Sequence, residues 1–512
     1  MFAICLDTSS LTNVAFSALS DCLLTYGISD IIPANNSDSL TKIVQDYCKP
    51  QAEVLLIGTP QRIFHSLIRR LTLSTTRLPS LVAVWDGTTE DELVAARLPW
   101  EPVRQAWLND TTSDLRDAAR KASKTFATAS FTVQSFISGE ATRIGGSFAK
   151  SGVQRYFRKQ ASGLGSIKLG DEMNFYRSLP EHLRGHYPTL LFSSRDEHGV
   201  SFGIDYKQVP NLRDLLLNCD ISASQAASAL KQVLQYEYGQ AYMGHLVPTP
   251  PNYLEDYHFH RVWRRMQISC DLDPTFVDLI SAEWLVINGK RMPNIPTMLY
   301  VLENSSAAKK ILVPEYVSPY VHSDLHLENI LVDRQNNTIW LVDPRGYPVC
   351  DIYYDLGKLT HSYNSNYDLL HEGRHETSLR FETDSSSCVK TAIVDFTFVA
   401  TKLTALYAEL NELMRTVTYE TLGAKTDEEK KMVDIRVLFN EAMHLCSDMP
   451  FHINKNSKPN VAFPIYATGA KLLAEVLEML GIDPMGCSGS GVADIALERL
   501  RDMGTKKWAF EA

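Results

Sequence analysis

Between His322 and Gly346 the chain reads HSDLHLENILVDRQNNTIWLVDPRG, and three of its side chains have the types and order that phosphoryl transfer needs. Asp324 and Asn329 stand five apart in a polar stretch that runs into an apolar ILV segment. After the turn-forming residues Asp333–Asn337, a second apolar run, IWLV, delivers Asp343. Asp324 would orient an attacking hydroxyl and accept its proton. Asn329 and Asp343 would supply two oxygen ligands to a Mg2+ ion bridging nucleotide phosphates. Mg2+ is hard and keeps several waters, so one carboxylate, one amide oxygen and the nucleotide suffice as ligands. A hairpin with surface carboxylates is the plainer reading, but it does not explain why polar residues cluster just before each apolar run.

Two paired strands would carry Asn329 and Asp343 to one end of a hairpin, with Asp324 in the loop before it. The His, Asp and Asn at these offsets, with a second acid after a hairpin, resemble the HxDxxxxN…D signature of the aminoglycoside phosphotransferase/choline kinase superfamily. That superfamily has a protein-kinase-like fold. The resemblance implies ATP as donor, Mg2+ as cofactor, and a small-molecule hydroxyl as acceptor. It also implies a phosphate-gripping Lys in the N-terminal lobe with a Glu to hold it. Lys159 in YFRKQA fits the first, with Arg158 competing for the role, and Glu172 in GDEMNFYRSLP fits the second. Gly139–Ser147 is a weak match to a loop folding over phosphates, and residues 204–215 resemble an interlobe hinge. His322 and Asp355, the latter in CDIYYDLGKLTHS, would brace the catalytic loop rather than touch the reactants.

The DPRG stretch with Arg345 resembles a subset of these kinases found among bacterial capsule and surface-polysaccharide gene products. Met449-Pro450-Phe451-His452 and the apolar Ala462–Leu480 resemble the tail of that subset. The resemblance spans about residues 131–485 and points to a sugar or sugar-like polyol as acceptor. Substrate signals in the residues themselves are thin. YHFHRVWRR places His258, His260, Arg261, Arg264 and Arg265 beside aromatics on one helix. Arg261 would match a phosphate or carboxylate and Trp263 would stack on a sugar face, unless this is a solvated basic face with an inward aromatic. Glu328 and Arg345 are further candidates to face the acceptor.

The first 130 residues have a different rhythm. Apolar runs at 2–6, 30–34, 53–58 and 80–85 alternate with helical spacing at 11–26, 38–48 and 61–74. Strand–helix alternation implies right-handed crossovers and a parallel sheet, a doubly wound α/β domain with Ser9, Ser37 and Pro60 at helix starts. Asp7 and Asp86 follow strands, where open α/β sheets keep their sites. The acids or Gly-rich loop of a haloacid dehalogenase-type phosphatase, a nucleotidyltransferase or a PIN-type nuclease are incomplete here. A structural, regulatory or substrate-presenting role is the expectation. From 131 the pattern becomes α+β and bilobal. Strands are expected at 131–138, 153–161, 189–194 and 199–206, with a helix at Asp171–Leu179 ended by Pro180. A mainly helical lobe follows from 211 to 512, with helices at 391–418, 429–447 and 462–481 and a loop-rich 362–390.

Composition limits what remains. Of 512 residues, 45% are hydrophobic and 21% charged, which argues against disorder. A formal net charge of −10 argues against a nucleic-acid partner. Nine dispersed cysteines without a CxxC pair read as reduced thiols. No leader-like start and no apolar run near the ~18 residues of a membrane span stand out, so a cytoplasmic protein is expected. Two rivals stay open. One is a choline, aminoglycoside or protein-hydroxyl kinase; the other is a nucleotide-binding module regulating an active N-terminal hydrolase or nuclease domain.

Overall fold

A computed structural model of the chain describes, up to residue 161, positions 2–6, 19–20, 23–24, 28, 30–34, 42–43, 53–57, 82–86, 92–109, 115, 118, 143–147 and 156–161. It then describes 165–504 apart from 197–198, 206, 208, 386–388, 454–460 and 489–490. It divides into two compact units, Met1–Gly170 with Pro188–Pro210, and Asp171–Tyr187 with Asn211–Ala512. The expected boundary near residue 130, Asp7, the three expected helix starts, and the segments 61–74 and 131–138 lie outside the described residues.

In the first unit, β1 (Phe2–Leu6) and β3 (Glu53–Ile57) are apolar runs without alternation, and β1 is buried at every position. Strands covered on both faces need no polar side, which is the signature of parallel pairing. β1 lies parallel to β2 (Ile31–Ala34) and to β3, in the registers Ala3↔Ile31 and Phe2↔Val54. Phe2, Ile4 and Leu6 share one face with Val54 and Leu56 and pack on Trp100 and Val103. The Phe2 and Trp100 rings meet edge to face at 5.4 Å. Each such side chain contributes about 1.5–3 kcal/mol by leaving water.

The sheet is mixed rather than wholly parallel. Its order is β2-β1-β3-β5-β4, where β4 is Val82–Asp86 and β5 is Glu92–Pro99. β5 runs antiparallel to both neighbours. Only five residues separate β4 from β5 in the sequence, too few for a parallel crossover of a dozen or more residues. The described residues within the expected helices 11–26 and 38–48 are helical. The same unit holds a second sheet, order β6-β7-β9-β8, antiparallel throughout: β6 Arg143–Ser147, β7 Tyr156–Ala161, β8 Leu190–Asp196 and β9 Gly199–Asp205. β6 takes up the end of the Gly139–Ser147 stretch as a strand. The helix between β7 and β8 is longer than expected, Gly165–Ser178, and stops before Pro180.

The second unit combines an expected helical body with a sheet that the sequence reading lacks. Helices Asp427–Leu445 and Ala462–Met479 match the expected 429–447 and 462–481. Thr426 and Glu429 form a reciprocal capping box at the start of the former. Residues 391–398, expected as helix, are instead the strand Lys390–Phe398, and the helix begins at Thr401 and runs to Leu422. The expected loop 362–390 contains the strand His375–Thr383. With Trp284–Ile287 and Lys290–Pro293 these build a four-stranded sheet. KTAIVDFTF is rich in β-branched and aromatic residues and alternates over Val394–Phe398, where Val394 and Phe396 are buried and Thr397 is exposed, which marks a strand. No helix among the described residues is long and apolar enough to cross a membrane. The six described cysteines that are characterised, Cys5, Cys219, Cys270, Cys350, Cys446 and Cys487, are free thiols.

Candidate functional site

The hairpin Ile330–Asp333 and Thr338–Leu341 is set by local chemistry. Asp333 Oδ1 accepts from the backbone N–H groups of Gln335 and Asn336 at 3.0 and 3.1 Å, an Asx turn, and Asn337 takes a positive φ of 49°. The strands then pair Asp333↔Thr338 and Ile330↔Leu341. One step beyond, the Val342 N–H donates to the Asn329 carbonyl at 3.0 Å. Asn329 and Asp343 therefore leave the hairpin at the same end.

The loop before the hairpin is tied to the segment after it. His322 Nδ1 accepts from the Asp324 N–H at 3.3 Å, which puts the ring proton on Nε2, and Nε2 lies 2.8 Å from the Val342 carbonyl. The Arg345 N–H donates to the His322 carbonyl at 2.8 Å. Burial holds the His322 pKa below its ordinary value, outweighing Asp355 and Asp324. A neutral ring suits both bonds. The Asn329 amide donates to the Asp324 carbonyl at 2.9 Å, which orients the amide and turns Oδ1 away from that bond. Ser323 and Asp343 have left-handed backbone, φ 63° and 59°, a strain of about 1–3 kcal/mol each that the surrounding bonds must hold.

Asp355 is buried beneath this loop. Its Oδ2 accepts from the Tyr242 hydroxyl at 2.6 Å and its Oδ1 from the Leu325 N–H at 3.4 Å. Burial pushes its carboxyl above the usual carboxylate range, while His322 and these donors oppose the rise. Asp351 is held instead by Arg436 at 3.1 Å. Sequence reasoning missed Lys358, whose Nζ lies 3.3 Å from Oδ1 of Asp324, and Tyr242. The signal for Lys358 was present: it follows Asp355 by three residues on helix Tyr353–Tyr363, so both share a face.

The other expected residues are more scattered. Lys159 is buried in the middle of its sheet, paired with Phe202 on β9 and Ile144 on β6, and 6.0 Å from the Phe202 ring centroid. Glu172 is a buried carboxylate on helix Gly165–Ser178. Glu328 is half-buried and its charge acts on the buried Arg213, which pairs with Asp368 and Glu372. Trp263 is a correction. It is fully buried with its indole N–H donating to Glu303 at 2.9 Å, so no ring face is open to a sugar. Arg261 is also buried, on the hydroxyl of Tyr354, rather than on a solvated face. Arg345 is half-buried with its guanidinium 5.5 Å from the Tyr347 ring centroid.

Chemically, this end of the hairpin offers a carboxylate with a lysine beside it, an oriented amide and a second carboxylate on strained backbone. Asp343 and Asn329 make a hard oxygen pair of the kind Mg2+ takes. Among the described residues no group of three or more His, Cys, Asp or Glu side chains makes a complete metal site by itself. No protein-family model and no curated protein matches the chain.

Proposed function

We propose that the chain is an ATP- and Mg2+-dependent phosphotransferase of the aminoglycoside phosphotransferase-like class, acting on a hydroxyl of a small molecule such as a sugar-like polyol. The observation that carries this reading is the double tie between the Asp324 loop and the Asp343 segment, through His322 to Val342 and Arg345 to His322. Such a tie would hold Asp324 and Asp343 in one arrangement, and phosphoryl transfer depends mainly on positioning.

In this reading Asp324 takes the proton of the acceptor hydroxyl as its oxygen bonds to the γ-phosphorus and the bond to the ADP oxygen breaks. Lys358, with its Nζ 3.3 Å from Oδ1, holds the Asp324 carboxylate in place. Asn329, oriented by its bond to the Asp324 carbonyl, presents its amide oxygen, and Asp343 presents its carboxylate. The donor set fits Mg2+, since two hard oxygens leave the remaining positions to water and phosphates. Bound there, Mg2+ would neutralise charge on the phosphates.

The test is ADP release over sugar, choline and aminoglycoside acceptors, together with thermal stabilisation by Mg·ATP. Asp324→Ala should lower acceptor-dependent turnover by about 10²–10⁴-fold, the range for a general base, while Mg·ATP still stabilises the fold. Asp343→Asn should remove that stabilisation. ADP release that no acceptor stimulates, with a stabilisation indifferent to Asp343→Asn, would overturn the proposal.

A further inference from the structure

Three arginines from two separate segments converge on one tyrosine. Arg261 and Arg265 lie one turn apart on helix His260–Leu272 and so share a face, while Arg345 follows Asp343 in DPRG. The guanidinium of Arg261 lies 5.3 Å from the Tyr354 ring centroid, and the Tyr354 and Tyr347 rings meet edge to face at 6.3 Å. Arg265 stacks 4.6 Å from the Phe451 ring centroid in the Met449–Phe451 turn, and its Nη1 donates to the Ser447 carbonyl at 3.3 Å. Burial pushes the Tyr347 hydroxyl up, and the charges of Arg345, Arg261 and Arg265 together pull it below its ordinary value.

Arg261 and Arg265 are held mostly by neutral groups. Arg261 donates to the Tyr354 hydroxyl, and its buried Nε and Nη2 have no hydrogen-bond partner. Arg265 bonds a carbonyl and a hydroxyl of Ser447. Burial and then the charge of Arg261 lower Arg265 to about 10. Asp448 is the carboxylate whose charge reaches both, and its own Oδ2 is buried without a partner. Like charges withdrawn from water with too few anions are unfavourable, and leave donors that an oxyanion would satisfy. Arg345 connects this cluster to the reaction centre, since its N–H bonds His322 and its charge also faces Asp324.

We propose that Arg261, Arg265 and Arg345 bind an oxyanion of the acceptor, so that the molecule phosphorylated carries a carboxylate or phosphate besides its reacting hydroxyl. This rests on the phosphotransferase reading for the location of the acceptor at Asp324. Guanidinium forks match both oxyanions with paired hydrogen bonds, the partners that the buried Nε and Nη2 of Arg261 lack. Arg265 and Arg345 are half-buried, and Arg261 is buried.

Calorimetric titration of the full chain with inorganic phosphate, glucose 6-phosphate, glucuronate and glucose, each with and without Mg·ATP, tests this. Glucose 6-phosphate or glucuronate should bind at least ten-fold more tightly than glucose, and which of the two binds separates a phosphate from a carboxylate. Arg265→Gln and Arg261→Gln should each weaken the anion ten-fold or more while Mg·ATP binding persists. Arg265→Gln, at the less buried position, keeps the test open should Arg261→Gln fail to fold. Arg415→Gln, at the surface pair with Asp434, serves as the control that leaves both unchanged. Equal binding of glucose, anion binding indifferent to both variants, or loss of Mg·ATP instead of the anion would each overturn the proposal. Arg265-dependent anion binding in a chain that binds no Mg·ATP would support the anion site and remove the phosphotransferase reading.

Discussion

Lys358 holds its Nζ 3.3 Å from Oδ1 of Asp324, and one turn earlier on the same helix Asp355 reaches up to the Leu325 N–H. One helix thus supplies an acid that fixes the loop and a cation that fixes the loop's own acid. Lys358→Met removes the cation beside Asp324 and should lower acceptor-dependent kcat by about ten-fold or more while the KM for Mg·ATP and the melting temperature stay near the parent's. Lys358→Arg should restore most of the rate. An unchanged rate with only a loss of stability would reduce Lys358 to a packing role.

Gly346 closes the DPRG segment with a positive φ of 71°, and a Cβ there would lie 2.2 Å from the Asp171 carbonyl oxygen. Backbone strain and a backbone clash coincide, and neither is relieved by a rotamer change. Gly346→Ala should displace the segment that carries Asp343. The expected result is a melting temperature several degrees lower, from about 1–3 kcal/mol of lost stability, and a weaker stabilisation by Mg·ATP. An alanine variant matching the parent in both would show that the segment tolerates the shift.

The parts of this site that were readable beforehand are those set by near neighbours. Asp333–Asn337 form the turn, the flanking apolar runs pair, and the register then puts Asn329 opposite Val342 without help from the rest of the chain. What escaped is tertiary. Lys358 acquires meaning only when its helix meets Asp324. Trp263 and Arg261 looked like a surface because charged neighbours surround them in sequence, yet Glu303 and Tyr354 receive them in the interior. The strand Lys390–Phe398 shows its period of two only over Val394–Phe398 and runs almost directly into the helix that starts at Thr401, and β5 was hidden because ELVAARLP has the composition of a helix.

Tyr242 donates to Oδ2 of Asp355 at 2.6 Å, inside a cluster where burial also raises the carboxyl of Glu237. Tyr242→Phe removes one donor from a buried acceptor and leaves its shape filled. Stability should fall by about 1–3 kcal/mol in urea unfolding, the cost of an unsatisfied buried group. Because Asp355 also receives the Leu325 N–H, exchange of that amide with deuterium should quicken more than exchange in helix Ala462–Met479. Uniform quickening would mean that Tyr242 supports the whole unit rather than the loop.

Glu441 lies buried with its carboxylate facing Asn364, at 3.0 and 3.2 Å, and Ser365, and with no lysine or arginine among the causes that set its titration. Burial raises its pKa from an ordinary 4.5 to about 7, and the donors from Ser365 and Asn364 only partly oppose this. A carboxyl raised in the folded state binds its proton more tightly there than in the unfolded chain. Its contribution is therefore complete below about pH 4.5 and is lost as pH rises through about 7. Glu441→Gln keeps the volume and an acceptor oxygen for Asn364 without the titration. The stability of the variant relative to the parent should increase by on the order of 1–3 kcal/mol between pH 5 and about 8, and then level off. Parallel unfolding curves for the two proteins across that range would show that Glu441 is already ionised at pH 5.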